Sequence, residues 1–278
     1  MLPNFIYIGP DKSGSTWIYF ALKEHPEVCL SSVKDIYFFD KYYYKGAKWY
    51  EKHFKKCIYK KNIKAIGELS HDYLFSETAL NKIKNLIPDI KLITSLRNPV
   101  DRAFSDYLHL KKHGLIKNNE EFITALNKYP EIVEKGFYDI YLNNYFQFFL
   151  RDNFLVLFFD ELLTNPVLYI SKIYKFIGVD HSFKPSILNK KILEAKKPRN
   201  ESVAYAIKKA AEIFRDLNLD VIVGNIKNMD IVQKLLYVKY DTKPKIKDSD
   251  KKYLLKIYEP HIKNLECLLN YDLSFWKE

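Results

Sequence analysis

The segment Gly9-Pro10-Asp11-Lys12-Ser13-Gly14-Ser15-Thr16 gathers a lysine, two glycines and three hydroxyl side chains in a stretch short enough to wrap one anion. It follows Phe5-Ile6-Tyr7-Ile8, a β-rich run, and precedes a helix expected to start with Ser15 or Thr16 as its cap. That helix is predicted to run to about His25 and to stop at Pro26. An anion at such a strand-to-helix junction meets unpaired backbone N–H groups and the positive end of the helix dipole. Gly14 permits close backbone approach, Ser15 and Thr16 offer hydroxyl donors, and Lys12 adds a mobile charge. The loop differs from the nucleoside-triphosphate pattern ending Gly-Lys-Ser/Thr, because here the lysine precedes the glycine by two. An ordinary loop with a capping serine is the plainer alternative.

A second constellation follows another strand. Lys91 to Leu96 reads as the clearest strand in the chain, and Arg97 leaves its end as a planar fork suited to phosphate. Pro99 then opens a helix to about His113, with Ser105 on the same side as Asp101.

The elements that must hold these residues alternate. Ala65 to Gly67 reads as a short buried strand, and Ser76 caps a helix to Ile87. Phe154 to Phe159 is a fourth strand, and Asn165-Pro166 starts a helix closed by Gly178. Phe137 to Leu150 reads as an amphipathic helix covering the sheet, and helices are expected over Glu201–Leu217, Asp230–Val238 and Asp248–Leu269. Strands separated by helices imply parallel pairing. The expected fold is therefore α/β: a three-layer sandwich, a central parallel sheet of four to five strands, and a helical C-terminal third. In such sheets ligands bind beyond the carboxyl ends of the strands. The segments Pro10–Thr16, Glu68–Tyr73 and Arg97–Ser105 all fall there. With no internal repeat and no Gly/Ser linker, residues 1–278 read as one domain.

The chain has 45 Lys+Arg against 34 Asp+Glu, a formal net charge of +11, which favours anionic partners. Nucleic acid is not among those expected, since no recognition motif is present. Cys29, Cys57 and Cys267 are widely spaced and odd in number, so neither a disulfide framework nor a metal site is expected. His109, His181 and His261 likewise have no metal-ligand spacing. With no run of 18 apolar residues, the expectation is a cytoplasmic chain without a membrane span.

Together, Lys12-Ser13-Gly14-Ser15-Thr16-Trp17 and Arg97-Asn98-Pro99-Val100-Asp101-Arg102-Ala103-Phe104-Ser105-Asp106-Tyr107 resemble the two signatures by which sulfotransferases bind 3′-phosphoadenosine 5′-phosphosulfate (PAPS). The resemblance is nearest to the bacterial and heparan-sulfate-type branch. Lys34 to Asp40 is similar to its Lys-Glu-x-x-Phe-Phe-Asp stretch, and Gly67 to Leu74 to its Gly-Glu-x-Ser/Thr-Pro-x-Tyr-Leu stretch. Lys196 to Asn200 resembles a late basic loop, and Tyr258 through Trp276 the closing helix and tryptophan.

The resemblance implies a P-loop-type α/β sandwich and a sulfotransferase that uses PAPS, releases 3′-phosphoadenosine 5′-phosphate (PAP) and needs no metal. Lys12, Ser13, Gly14, Ser15, Thr16 and Trp17 would hold the phosphosulfate, with Lys12 also stabilising the leaving group. Arg97 and Ser105 would bind the 3′-phosphate, and Arg199 with Lys197 would close over the nucleotide. Asp35 stands where the branch has a glutamate base, one methylene shorter. His71, at a family proline, and Glu68, at a strand end, are the rival bases. Leu69 and Tyr37 replace the branch's Lys and His, so the acceptor is not tied to heparan; a glycan, a lipid-linked saccharide or a small alcohol fits. The aromatic run Tyr37 to Tyr50 either lines an acceptor cleft or packs a core. The competing readings are a P-loop nucleotide kinase and a non-catalytic PAP-binding module.

Overall fold

A computed structural model describes residues 1–189, 196–217, 232, 235–240, 242 and 244–277. The described chain divides into two compact units: residues 1–97 with 140–192, and residues 98–139 with 193–278.

The first unit contains a five-stranded sheet. Its strands are β1 (Phe5–Gly9), β2 (Val28–Leu30), β3 (Ala65–Leu69), β4 (Lys91–Leu96) and β5 (Phe154–Phe158), in the order β2-β3-β1-β4-β5. Every neighbouring pair is parallel, with Phe5 opposite Gly67 and Lys91 and with Leu92 opposite Phe154. A parallel strand buried on both faces reads as a continuous apolar run. Phe5-Ile6-Tyr7-Ile8 is such a run, and all four residues are fully buried. The helices of this unit include α1 (Ser15–Glu24), α2 (Ala47–Lys52) and α3 (Glu77–Leu86).

The second unit begins with α4 (Pro99–Lys112), α5 (Phe122–Lys128) and α6 (Glu131–Glu134). Helix α7 (Tyr138–Phe148) starts in that unit and continues into the first, which also holds α8 (Phe159–Thr164) and α9 (Pro166–Ile177). Trp17, Ile18, Ala21 and Leu22 of α1 join Tyr169, Ile170, Ile173 and Tyr174 of α9 in one core with Tyr7, Leu30 and Ile93 of the sheet. The second unit closes with β6 (Lys196–Pro198), α10 (Glu201–Asp216), β7 (Tyr237–Lys239) and α11 (Asp248–Leu269). Strands β6 and β7 are antiparallel, and α4 packs on β6.

Helix boundaries follow their caps. Ser76 Oγ accepts from the Ala79 N–H, Asn98 Oδ1 from Val100 and Asn165 Oδ1 from Leu168, and Gly178 ends α9 in the left-handed region. Helix α1 is the exception to the expected caps. Gly14, not Ser15 or Thr16, holds the cap position, and no side chain accepts from the first turn. Strand β2 is absent from the sequence reading because three residues are too few to display a period. Of the helix expected over Asp230–Val238, residues 230, 231, 233 and 234 lie outside the described residues, Val232, Leu235 and Leu236 are helical, and Tyr237 and Val238 pair in β7 instead.

The cysteine expectation is corrected. Cys29 in β2 and Cys57 form a disulfide across a sequence separation of 28, with Cα atoms 5.7 Å apart; Cys267 is free and exposed. Spacing could not reveal the pair, because strand pairing brings Cys29 to the loop that carries Cys57. Among the described residues no helix is long and apolar enough to cross a membrane, and none forms a cluster able to hold a metal ion.

Candidate active site

The phosphate-loop candidate sits at the carboxyl end of β1. Lys12 (φ 62°) and Gly14 (φ 89°) both adopt left-handed backbone, the kind of local geometry that turns successive N–H groups to one side. Gly14 is required there twice over. Its φ disfavours side chains, and a Cβ would lie 2.9 Å from Leu162 Cδ2 and 3.2 Å from Phe159 Cδ2. The first intrahelical bond runs from Ile18 N–H to Gly14 C=O, so the N–H groups of Ser15, Thr16 and Trp17 precede the helix ladder. Ser13 is fully buried, and its hydroxyl donates to Asp11 C=O at 3.4 Å. The Trp17 indole packs edge-on against Tyr169 in the core, which leaves its backbone N–H as the group that can serve a ligand. Tyr7 OH donates to Pro10 C=O at 3.1 Å and Thr94 Oγ1 to Gly9 C=O at 2.6 Å, tying the loop's base to the sheet.

Arg97, at the end of β4, reaches this loop. Its Nη1 donates to Lys12 C=O at 3.1 Å, and its guanidinium lies 4.9 Å from the centre of the Phe159 ring. Phe159 opens α8 and also backs Gly14, so one aromatic side chain supports both anion-binding candidates. Sequence reading missed it. The signal was its place just beyond β5, where the rule about carboxyl strand ends applies equally.

The acid–base candidates occupy the ends of β2 and β3. Asp35 N–H donates to Leu69 C=O at 2.9 Å, which carries the loop after β2 alongside β3. Asp35 Oδ1 lies 2.7 Å from His71 Nδ1, and Lys34 Nζ is 3.0 Å from both Asp35 carboxylate oxygens. Tyr37 OH lies 3.4 Å from His71 Nε2, and Asp72 Oδ2 lies 3.6 Å from it. A Cβ at Gly9 would collide with His71 C=O, so glycine there lets the His71 backbone lie against the end of β1. Asp35 (φ 63°) and Tyr37 (φ 56°) hold left-handed backbone without being glycine, a strain that collects at functional sites. Burial pushes the His71 pKa down, but the Asp35 and Asp72 carboxylates outweigh it and the net shift is upward.

Glu68 is set apart from that pair. It is fully buried at the end of β3, and burial pushes its pKa up to about 7. Tyr50, Tyr73 and Ser70 face its carboxyl, yet neither oxygen has a hydrogen bond of ordinary geometry. Asp40, also pushed up by burial to about 6, adds repulsion. Of the aromatic run between Tyr37 and Tyr50, Tyr50 faces this carboxyl, and Phe38, Phe39, Tyr43 and Trp49 pack on one another beside it in sequence. Phe38 stacks on Tyr50 with centroids 4.3 Å apart, whereas Tyr44 is exposed.

The remaining candidates belong to the second unit. Ser105 is half-buried on α4, Lys197 is half-buried in β6 with its Nζ 5.8 Å from the Tyr240 ring centre, and Arg199 is exposed. The Arg199 N–H donates to Leu236 C=O, which fixes its backbone beside β7. Arg102, part of the second signature, is fully buried; it pairs with Asp106 at 3.2 Å and donates to Ile132 C=O, a structural role within the unit.

Comparison with known proteins bears on this arrangement. The family model described as "Sulfotransferase domain" matches residues 2–215. A membrane-associated sulfotransferase, kil1, of Dictyostelium discoideum is 40% identical over 117 residues, covering 42% of this chain and 25% of that protein. The bifunctional heparan sulfate N-deacetylase/N-sulfotransferase 2 of Bos taurus is 32% identical over 196 residues, covering 64% of this chain and 22% of that protein. The chain thus spans about a quarter of the length of the curated relatives it matches. Among solved structures, a sulfotransferase from Alicyclobacillus acidocaldarius superposes over 100% of both chains with a TM-score of 0.72 at 22% identity, a likeness of fold. The mouse sulfotransferase SULT7A1, solved with PAP, covers 94% of this chain and 84% of its own at a TM-score of 0.50 and 16% identity. The family match extends over most of the sequence and takes in both the Lys12 loop and Arg97: the chain belongs to the sulfotransferase family.

Proposed function

We propose that this sulfotransferase moves a sulfuryl group from PAPS to a hydroxyl or amine of a carbohydrate-containing acceptor by in-line displacement, with residues 1–278 working as one domain. The observation that carries the donor assignment is the Arg97–Lys12 contact at 3.1 Å, which sets a guanidinium against a helix-start loop suited to anions. The residues fit the group. Left-handed backbone at Lys12 and Gly14, an α1 start without a side-chain cap, and a glycine backed by Phe159 make a cradle for a phosphosulfate. PAPS supplies an activated sulfuryl group and a stable leaving nucleotide.

Lys12 and the N–H groups of Ser13, Gly14, Ser15, Thr16 and Trp17 hold the phosphosulfate end. The Lys12 ammonium offsets charge that grows on the bridging oxygen, electrostatic stabilisation aimed at the transition state. Arg97 and Ser105 take the 3′-phosphate, and Lys197 and Arg199 cover the nucleotide. The proton acceptor comes from the Asp35, His71 and Glu68 set. The relative solved with PAP supports the donor class, and the heparan sulfate relatives support a glycan acceptor. Small alcohols and lipid-linked saccharides share the required hydroxyl. The cytoplasmic expectation rested on unpaired cysteines together with the lack of a long apolar run, and the Cys29–Cys57 bond instead favours an oxidising compartment.

The test is a transfer screen with radiolabelled PAPS over glycans, glycolipids and small alcohols, run beside calorimetric binding of PAP and of Mg²⁺-ATP. Label transfer together with PAP binding is the expected result. Tight Mg²⁺-ATP binding with no response to PAP would revive the nucleotide kinase. PAP binding without transfer to any acceptor pool would leave a binding module.

A further inference from the structure

Asp35 and His71 entered the sequence reading as rivals, but they are in contact and their surroundings differ. The Asp35 carboxylate is engaged on both oxygens: Lys34 Nζ stands 3.0 Å from each, and His71 Nδ1 stands 2.7 Å from Oδ1. Its side chain is 10% exposed, against 21% for His71. The more accessible group is thus the imidazole. With Nδ1 turned to the carboxylate, the atom left to meet a substrate is Nε2, which faces Tyr37 OH at 3.4 Å. Resting on the sulfotransferase reading, we infer that His71 Nε2 takes the acceptor's proton and that Asp35 is a positioning residue that holds the ring and steadies its charged form.

A carboxylate that receives Nδ1–H fixes the neutral tautomer in which Nε2 carries a lone pair. In the step, a lone pair of the acceptor oxygen or nitrogen forms the bond to sulfur. The sulfur–oxygen bond to the nucleotide breaks, and its electron pair leaves with the nucleotide. The acceptor's proton passes to His71 Nε2, and the resulting imidazolium faces Asp35 across the 2.7 Å contact and Asp72 at 3.6 Å. The ring later releases the proton to water. The other neighbours of the pair are Lys34, whose charge opposes protonation of His71, Tyr37, and Tyr19 of α1, which senses the Asp35 charge. Glu68 is fully buried among Tyr50, Tyr73 and Ser70 and takes no part in this step.

The decisive measurement is nitrogen-15 NMR of the imidazoles in the PAP-saturated protein, for the wild type, Asp35→Asn and His71→Gln, the last to assign the signal. The expected result is a neutral His71 with its proton on Nδ1 and a titration that moves to lower pH in Asp35→Asn. A neutral form protonated on Nε2, or a titration unmoved by Asp35→Asn, would overturn the pair. Sulfate release from labelled PAPS is then followed against pH, with desulfated heparin or water as acceptor. His71→Gln should lose roughly 10²–10⁴-fold in rate while PAP affinity stays within twofold. A loss under threefold, or an acid limb in the range of an ordinary carboxylic acid, would return the role to Asp35. Should PAP fail to bind the wild type, the donor reading falls, and the tautomer measured without PAP still decides the pair.

Discussion

Asp35 Oδ1 and His71 Nδ1 lie 2.7 Å apart although 36 residues separate them in the chain. The contact exists because β2 and β3 are parallel neighbours, so the segments leaving their carboxyl ends emerge side by side. Lys34 completes the group by closing on both Asp35 oxygens.

Lys34 therefore tunes the pair. Its charge pushes protonation of His71 down, and it also neutralises the carboxylate that pushes the other way. In Lys34→Ala both effects vanish in the same direction, and the His71 titration should move to higher pH. The imidazole NMR signal reads this directly, and a downward move would mean that Lys34 serves mainly to keep Asp35 in place.

Arg97→Ala separates the two ends of the nucleotide. Loss of a charged hydrogen-bonding partner typically costs about 1.5–3 kcal/mol, roughly 10–100-fold in affinity. That loss is expected for PAP, which carries the 3′-phosphate, and not for adenosine 5′-phosphosulfate, which lacks it. Calorimetry on both ligands checks the assignment, and equal losses would place Arg97 as a brace for the Lys12 loop alone.

Glu68 should make stability depend on pH. Its pKa in the fold, about 7, lies above the ordinary 4.5, so the folded protein prefers the neutral acid. The stability it contributes is complete below pH 4.5 and is lost as pH rises to about 7, a change of at most about 3 kcal/mol. Glu68→Gln removes the ionisation, so it should flatten this slope and raise the urea midpoint at pH 8 relative to the wild type. A lower midpoint at pH 8 would mean that the charged carboxylate is held by partners the fold needs.

The Cys29–Cys57 bond predicts a thiol count. Denatured, unreduced protein should titrate one thiol, Cys267, and reduced protein three. Closing a loop of this length constrains the unfolded chain, so Cys57→Ser should cost about 3–4 kcal/mol in denaturant unfolding. Three thiols before reduction would remove the bond and with it the case for an oxidising compartment.

Local chemistry made much of this protein legible in one dimension. Strands β1 and β5 are apolar runs and β4 a largely apolar one, and α3 and α9 begin at side-chain caps that act within three residues. The Lys12 loop and Arg97 could be read because each motif is contiguous and each follows a strand, where the α/β rule places ligands. What stayed hidden depends on contacts between distant segments. Strand β2 is three residues long and exists through its pairing with β3. Cys29 meets Cys57 only once that edge of the sheet forms. Phe159 supports Arg97 and Gly14 from the far side of β4 in the chain order, and no periodicity records such a contact. By itself the sequence determined most element types and the two candidate anion-binding motifs, since hydrogen bonding and apolar spacing act over a few residues. The tertiary structure decided that Asp35 and His71 are partners, because strand order, a property of the whole sheet, sets which loop ends meet.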